Sequence, residues 1–180
     1  MCNIISGIVK DCGFSVAGNT TYLYIANAAN ITTTIGSDNL VTGLTGSFFR
    51  FEVGLDTLSD THELTTGAGT QKFFLHLVDF KIPSSSNDVK NVIEDLSTSR
   101  SIVVIPDKNN QYKLYGSSGN GKSIGLDTKV ARFTSGLLAG DDYGYTLQLS
   151  ESFPNLPFML SSSLEPSSTG SGATASYTFS

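Results

Sequence analysis

The sequence predicts a mainly β domain, a sandwich or barrel with one short α-helix at about residues 87–97 and a long inter-strand loop. Three observations lead there. Charged residues make up only 15% of the 180 residues while Gly, Ser and Thr are abundant, a balance that favours strands and turns over long helices. Over 46–55, Phe49, Phe51, Val53 and Leu55 alternate with Arg50, Glu52 and Gly54, giving one apolar and one wet face. Helical spacing is clear in one stretch, where Val89, Val92, Ile93 and Leu96 recur after cap-competent residues at 84–87, with Asp88 near the positive N-terminal end.

Taken in order, the chain opens with short apolar runs over 4–35, such as Tyr22-Leu23-Tyr24-Ile25-Ala26, punctuated by Gly13, Gly18 and Asn19, which read as strands joined by tight turns. The strand at 46–55 is expected to pair with 71–82, whose apolar side chains fall on both faces and predict a strand covered on both sides. Between them, 56–70 is polar, rich in Gly and Thr, and longer than a hairpin turn; it is expected to be a loop that reaches a neighbouring subunit. The helix follows Pro83, with an apolar stripe that reads as core material lying across a sheet face or edge. Further strands are expected at 101–105, 111–115, 131–135 and 143–149. The assembly domain is placed at 1–160. Residues 161–180 form a Ser/Gly/Thr-rich extension, read either as a connector whose tip at Tyr177 and Phe179 adds an edge strand to a neighbour or as a disordered tail.

Several chemistries are argued against by residue type and spacing. A formal net charge of −5 does not suit a general grip on nucleic acid, although it suits a channel that repels DNA. The start, Met1-Cys2-Asn3-Ile4-Ile5, lacks the basic and long apolar regions of a secretory signal, and no stretch is long and apolar enough to span a bilayer. Cys2 and Cys12 are read as reduced thiols without metal partners. His62 and His76 fall in different surroundings, polar and apolar, with no cysteine or regular carboxylate spacing to complete a shared metal site.

Residues 116–123, Gly-Ser-Ser-Gly-Asn-Gly-Lys-Ser, match the G-x-x-x-x-G-K-[ST] phosphate-binding pattern, whose chemistry needs a buried strand before the loop and a helix directly after it. Here the preceding segment is polar and alternating, and Ile124-Gly125-Leu126-Asp127-Thr128 has no helical stripe, so the run is read as a Gly/Ser hairpin loop. Asp141 and Asp142, flanked by Gly140 and Gly144, read as a turn and not as paired catalytic carboxylates. No serine sits in a Gly-x-Ser-x-Gly elbow. No catalytic residue, cofactor site or metal site is therefore assigned.

About half of the chain resembles tail-tube-type structural proteins of phages and prophages of Bacteroidetes bacteria. The likeness rests on Tyr112-Lys113-Leu114-Tyr115-Gly116 leading to the loop at Gly119 and Gly121, on Ser135-Gly136, on Gly140-Asp141-Asp142-Tyr143-Gly144-Tyr145-Thr146-Leu147, and on Glu151-Ser152-Phe153-Pro154. Cys12-Gly13, Gly18, Tyr22-Leu23 and Asn27 add to it. The resemblance implies a tail-tube-like β-sandwich or barrel that self-associates into rings, commonly hexameric, stacked around a channel through which genomic DNA passes without specific binding. It implies neighbouring tail or connector proteins as partners, no membrane, and residence in the virion tail after assembly in the host bacterial cytoplasm. Residues 56–70 would be its inter-subunit arm, and an isolated monomer would expose sheet edges. The extension beyond Pro157 departs from a simple tube subunit and leaves room for a head-to-tail connector ring, a tail terminator or a capsid decoration protein. A carbohydrate- or surface-binding β-sandwich is the reading from another class; it requires an exposed aromatic platform and would usually include Trp, which this chain lacks.

Overall fold

The computed structural model describes residues 18–67, 71–136, 143–166 and 176–179. Cys2, Cys12, Asp141, Asp142, the strands expected before Gly18 and most of the Ser/Gly/Thr-rich stretch lie outside these residues. In chain order the elements are β1 (Tyr22–Asn27), a 3₁₀ turn (Ala28–Asn30), β2 (Thr32–Ile35), β3 (Leu40–Thr45), β4 (Phe48–Glu52), β5 (Ser59–Thr66), β6 (Lys72–Ile82), α1 (Asn87–Thr98), β7 (Ser101–Pro106), β8 (Tyr112–Tyr115), β9 (Gly121–Lys122), β10 (Asp127–Thr134), β11 (Gly144–Phe153), β12 (Phe158–Leu160), β13 (Leu164–Pro166) and β14 (Ser176–Phe179).

The strands form two sheets, as the mainly β prediction requires. One runs in the order β13-β14-β4-β1-β7-β8-β12-β3-β2-β9, and part of it curls into a half-barrel; the other is four-stranded, β10-β11-β6-β5. Strands β1 and β7 explain how the layers are held. Along β1, Tyr24 and Ala26 point into the half-barrel while Leu23 and Ile25 point toward the four-stranded sheet; on β7, Ile102 and Val104 face inward and Val103 and Ile105 face the other sheet. All six residues of β7 are buried, which is why its sequence is a continuous apolar run instead of an alternation. Opposite them, Val78 and Phe80 of β6 and Leu147 and Leu149 of β11 complete the core between the sheets. Each fully buried side chain of this kind contributes about 1.5–3 kcal/mol, so this layer is a large source of stability.

The helix forms where its spacing places it. The Ser86 side chain accepts a hydrogen bond from the Val89 N–H at the N-cap, Asp88 lies in the first turn, and Ile93 and Leu96 are buried in the core between the sheets. The Thr128 hydroxyl donates to the Leu96 carbonyl at 2.8 Å, which fastens the end of α1 beside β10. Two glycines are fixed by geometry: Gly46 (φ +136°) and Gly144 (φ +120°) have backbones that a side chain resists, and a Cβ there would meet Ile31 and the Ile82 carbonyl respectively.

Several expectations are corrected. Residues 56–70 are not a long loop: Ser59–Thr66 is strand β5, in register with β6 from Ser59↔Asp79 to Thr66↔Lys72. The 46–55 strand does not pair with 71–82; β4 pairs with β1 and β14, and β6 lies between β5 and β11 in the other sheet. Its expected apolar face is also mixed, since Val53 is buried and Phe51 packs against the core whereas Phe49 and Leu55 are exposed; Phe48, of the opposite face, is buried in the other core. Strand β6 is covered on one face by the core; Phe73, Leu75 and Leu77 on the other are half-buried and belong to neither core. The tip at 176–179 is a strand, β14, and it pairs within its own chain, between β13 and β4.

Candidate functional site: a buried polar clamp and two open sheet edges

Alternation along β5 turns Asp60 inward, opposite the core residue Val78. From the other sheet, β8 presents Tyr115, which is fully buried, and Lys113. The Tyr115 hydroxyl donates to Asp60 Oδ2, Lys113 Nζ lies 3.0 Å from the same oxygen, and Asn19 Nδ2 donates to Oδ1 at 2.6 Å. Burial pushes the Asp60 carboxyl up, but the hydrogen bonds from Tyr115, Asn19 and Lys113 and the Lys113 charge outweigh it and hold the group below its ordinary value. Burial, reinforced by Asp60, raises the Tyr115 phenol and keeps it protonated as a donor. Three donors thus engage both oxygens of one carboxylate and tie an edge strand to the opposite sheet.

His76 sits against this clamp with no exposed surface. Its ring stacks on Phe153 at 4.6 Å and meets Tyr115 edge-on at 5.6 Å. Its Nε2–H donates to the Asn155 carbonyl at 2.9 Å, and Nδ1 is buried without a partner. Burial, aided by the charge of His62 and opposed by the Asn155 carbonyl, lowers its pKa to about 4, so the ring is neutral near pH 7. The two histidines are direct cross-strand neighbours, a proximity their sequence surroundings did not reveal. Among the described residues no group of three or more His, Cys, Asp or Glu could hold a metal ion.

The phosphate-loop match falls in a context unlike that motif's. Strand β8 before it is antiparallel to β7 and β12, Gly121 and Lys122 form β9 against β2, and the chain then enters strand β10, where the motif requires a helix. The loop folds onto β2 instead: the Thr33 hydroxyl donates to the Gly119 carbonyl at 2.5 Å and lies 3.2 Å from the buried Ser117 hydroxyl. No family model, curated protein or solved structure matches this chain.

The surface features that remain are edges. The ten-stranded sheet ends in β13 and β9, of three and two residues, short enough to blunt pairing. Among the described residues the four-stranded sheet ends in β5 and β10, each of eight residues and mostly exposed. Exposed Leu64 lies on β5, and exposed Val130 and Phe133 on β10. The aromatic group at this end is not a flat platform, because Phe133 meets Tyr143 at 77° and Tyr145 at 49°. A hollow beside Asn19, lined by Thr21, Leu55, Asp56 and Lys108, measures about 240 Å³ and falls short of the roughly 300–1,000 Å³ of small-molecule sites. Among the described residues no helix is long and apolar enough to cross a membrane.

Proposed function

We propose that this protein is a ring-forming structural subunit of a phage tail tube, a conduit through which DNA passes. One observation carries the reading: among the described residues a four-stranded sheet has two long, exposed edge strands on opposite sides, while the larger sheet ends in strands too short to pair far. Single chains usually cover or shorten such edges, and a ring of copies abolishes them by pairing one with the next. The resemblance around 112–154 supports the same reading, and the net charge of −5 suits a lumen that DNA traverses without adhering. A head-to-tail connector, a tail terminator and a capsid decoration protein share the edge argument and differ in how many rings stack.

The test is the mass of the purified chain by light scattering over a range of concentrations, followed by negative-stain imaging. Rings or tubes support the proposal and give the symmetry; a chain that stays monomeric at every concentration overturns it.

A further inference from the structure

We infer that the junction between subunits is head-to-tail, β5 of one copy against β10 of the next, with Glu63 facing Arg132 of the next copy. This rests on the ring reading and specifies its interface. Every pairing in the four-stranded sheet is antiparallel, so β5 and β10 run in opposite directions. Copies related by rotation about a ring axis keep their orientation, and β5 then meets β10 of its neighbour antiparallel, continuing the sheet without a break in its hydrogen-bonding pattern.

Side-chain alternation restricts the register. On β5, Thr61, Glu63 and Thr65 stand opposite Leu77, Leu75 and Phe73 on the face away from the core, while His62 and Leu64 share the core side with His76 and Phe74. On β10, Val130, Arg132 and Thr134 share the outer face with Gln148, Thr146 and Gly144, and Ala131 and Phe133 lie on the core side. A slip of one residue would set outer residues against inner ones, so only alternate registers keep a continuous two-faced sheet. Among these, the register that places Glu63 opposite Arg132 also sets His62 against Phe133 and Leu64 against Ala131, pairing opposite charges on the outer face and apolar or aromatic groups on the inner one.

Charge selects this junction over a two-fold one. Lys129 is engaged by Asp127 at 2.6 Å and the inward-facing Asp60 by Lys113 at 3.0 Å, which leaves Arg132 as the charge of the β10 edge and Glu63 as that of β5. Two β5 edges would oppose acid to acid, and two β10 edges base to base; β5 against β10 is complementary. Within one subunit Val130 lies in the same row as Ser59, through Gln148 and Asp79; in the proposed register it faces Thr65 of the adjacent copy, a stagger of the kind that tilted strands in a closed barrel require.

The experiment uses the full chain and the variants Glu63→Arg, Arg132→Glu and the double reversal, with circular dichroism confirming the fold of each. Each single variant alone is expected to shift assembly to about tenfold higher concentration or more. Mixed in equal amounts the two singles should assemble, because every junction between unlike copies is then complementary, and the double reversal should assemble by itself. If the wild-type chain forms rings and both single variants form them equally well, or if mixing restores nothing, the junction is overturned while the ring reading stands. A wild-type chain that remains monomeric overturns both.

Discussion

The Tyr115 hydroxyl donates a hydrogen bond to Asp60 Oδ2, so an edge strand of the four-stranded sheet, β5, is held from within the sandwich by a residue of the other sheet. This contact gives a strand with almost no apolar anchorage a fixed position.

Replacing Asp60 with Ala should destabilise the fold by about 3 kcal/mol, since the Tyr115 hydroxyl and the partly buried Lys113 lose their common acceptor. Tyr115→Phe should cost about 2 kcal/mol, and the double variant less than the two together. Urea denaturation of the four forms checks this; strictly additive losses would mean that the two side chains do not act as a unit.

Stability should decline as pH falls from about 6.5 toward 4. His76 has a folded pKa of about 4 against an ordinary 6.5, so across that window the unfolded chain binds a proton that the folded one refuses; the contribution is complete above pH 6.5 and costs up to about 3 kcal/mol by pH 4. Asp60, whose pKa is lowered, adds a further loss only below its ordinary 3.8. Denaturation midpoints at pH 7 and pH 5 should differ for the wild type and much less for His76→Phe.

Gly144→Ala should cost about 2–4 kcal/mol, because the backbone lies at φ +120° and the new methyl group would meet the Ile82 carbonyl and Pro83. Thermal melting measures the loss, and an unchanged midpoint would show that the turn relaxes freely.

Millimolar ATP with magnesium should leave the melting temperature unchanged, as the loop at 116–123 is folded onto β2 and is followed by a strand. A ligand bound with useful affinity raises the midpoint, so a clear shift would restore the nucleotide reading.

The parts of the fold that were legible in the sequence are those where local pattern and burial coincide. Strand β7 is an unbroken apolar run because both of its faces are covered, and α1 shows its stripe because Ile93 and Leu96 meet the core. Strand β5 was illegible because an exposed edge needs no apolar alternation; its inward positions include Asp60 and His62, which look like loop residues until their partners are known. Strand β3 was concealed differently. Thr34 pairs with Gly43 and Ile35 with Val41, so Thr42 is an extra residue that breaks the two-residue period and lets Val41 and Leu44, three apart, both be buried. The clamp joins Asn19, Asp60, Lys113 and Tyr115 from distant parts of the chain, and no local spacing announces it.

Strands β1 and β7 lend one face to each of the two cores. Neither core can therefore melt while the other remains intact, and heating should produce a single sharp transition whichever spectroscopic probe follows it. The same sharing means that the half-barrel and the sandwich are not exchangeable modules: a cut that freed one from the other would strip both of a wall.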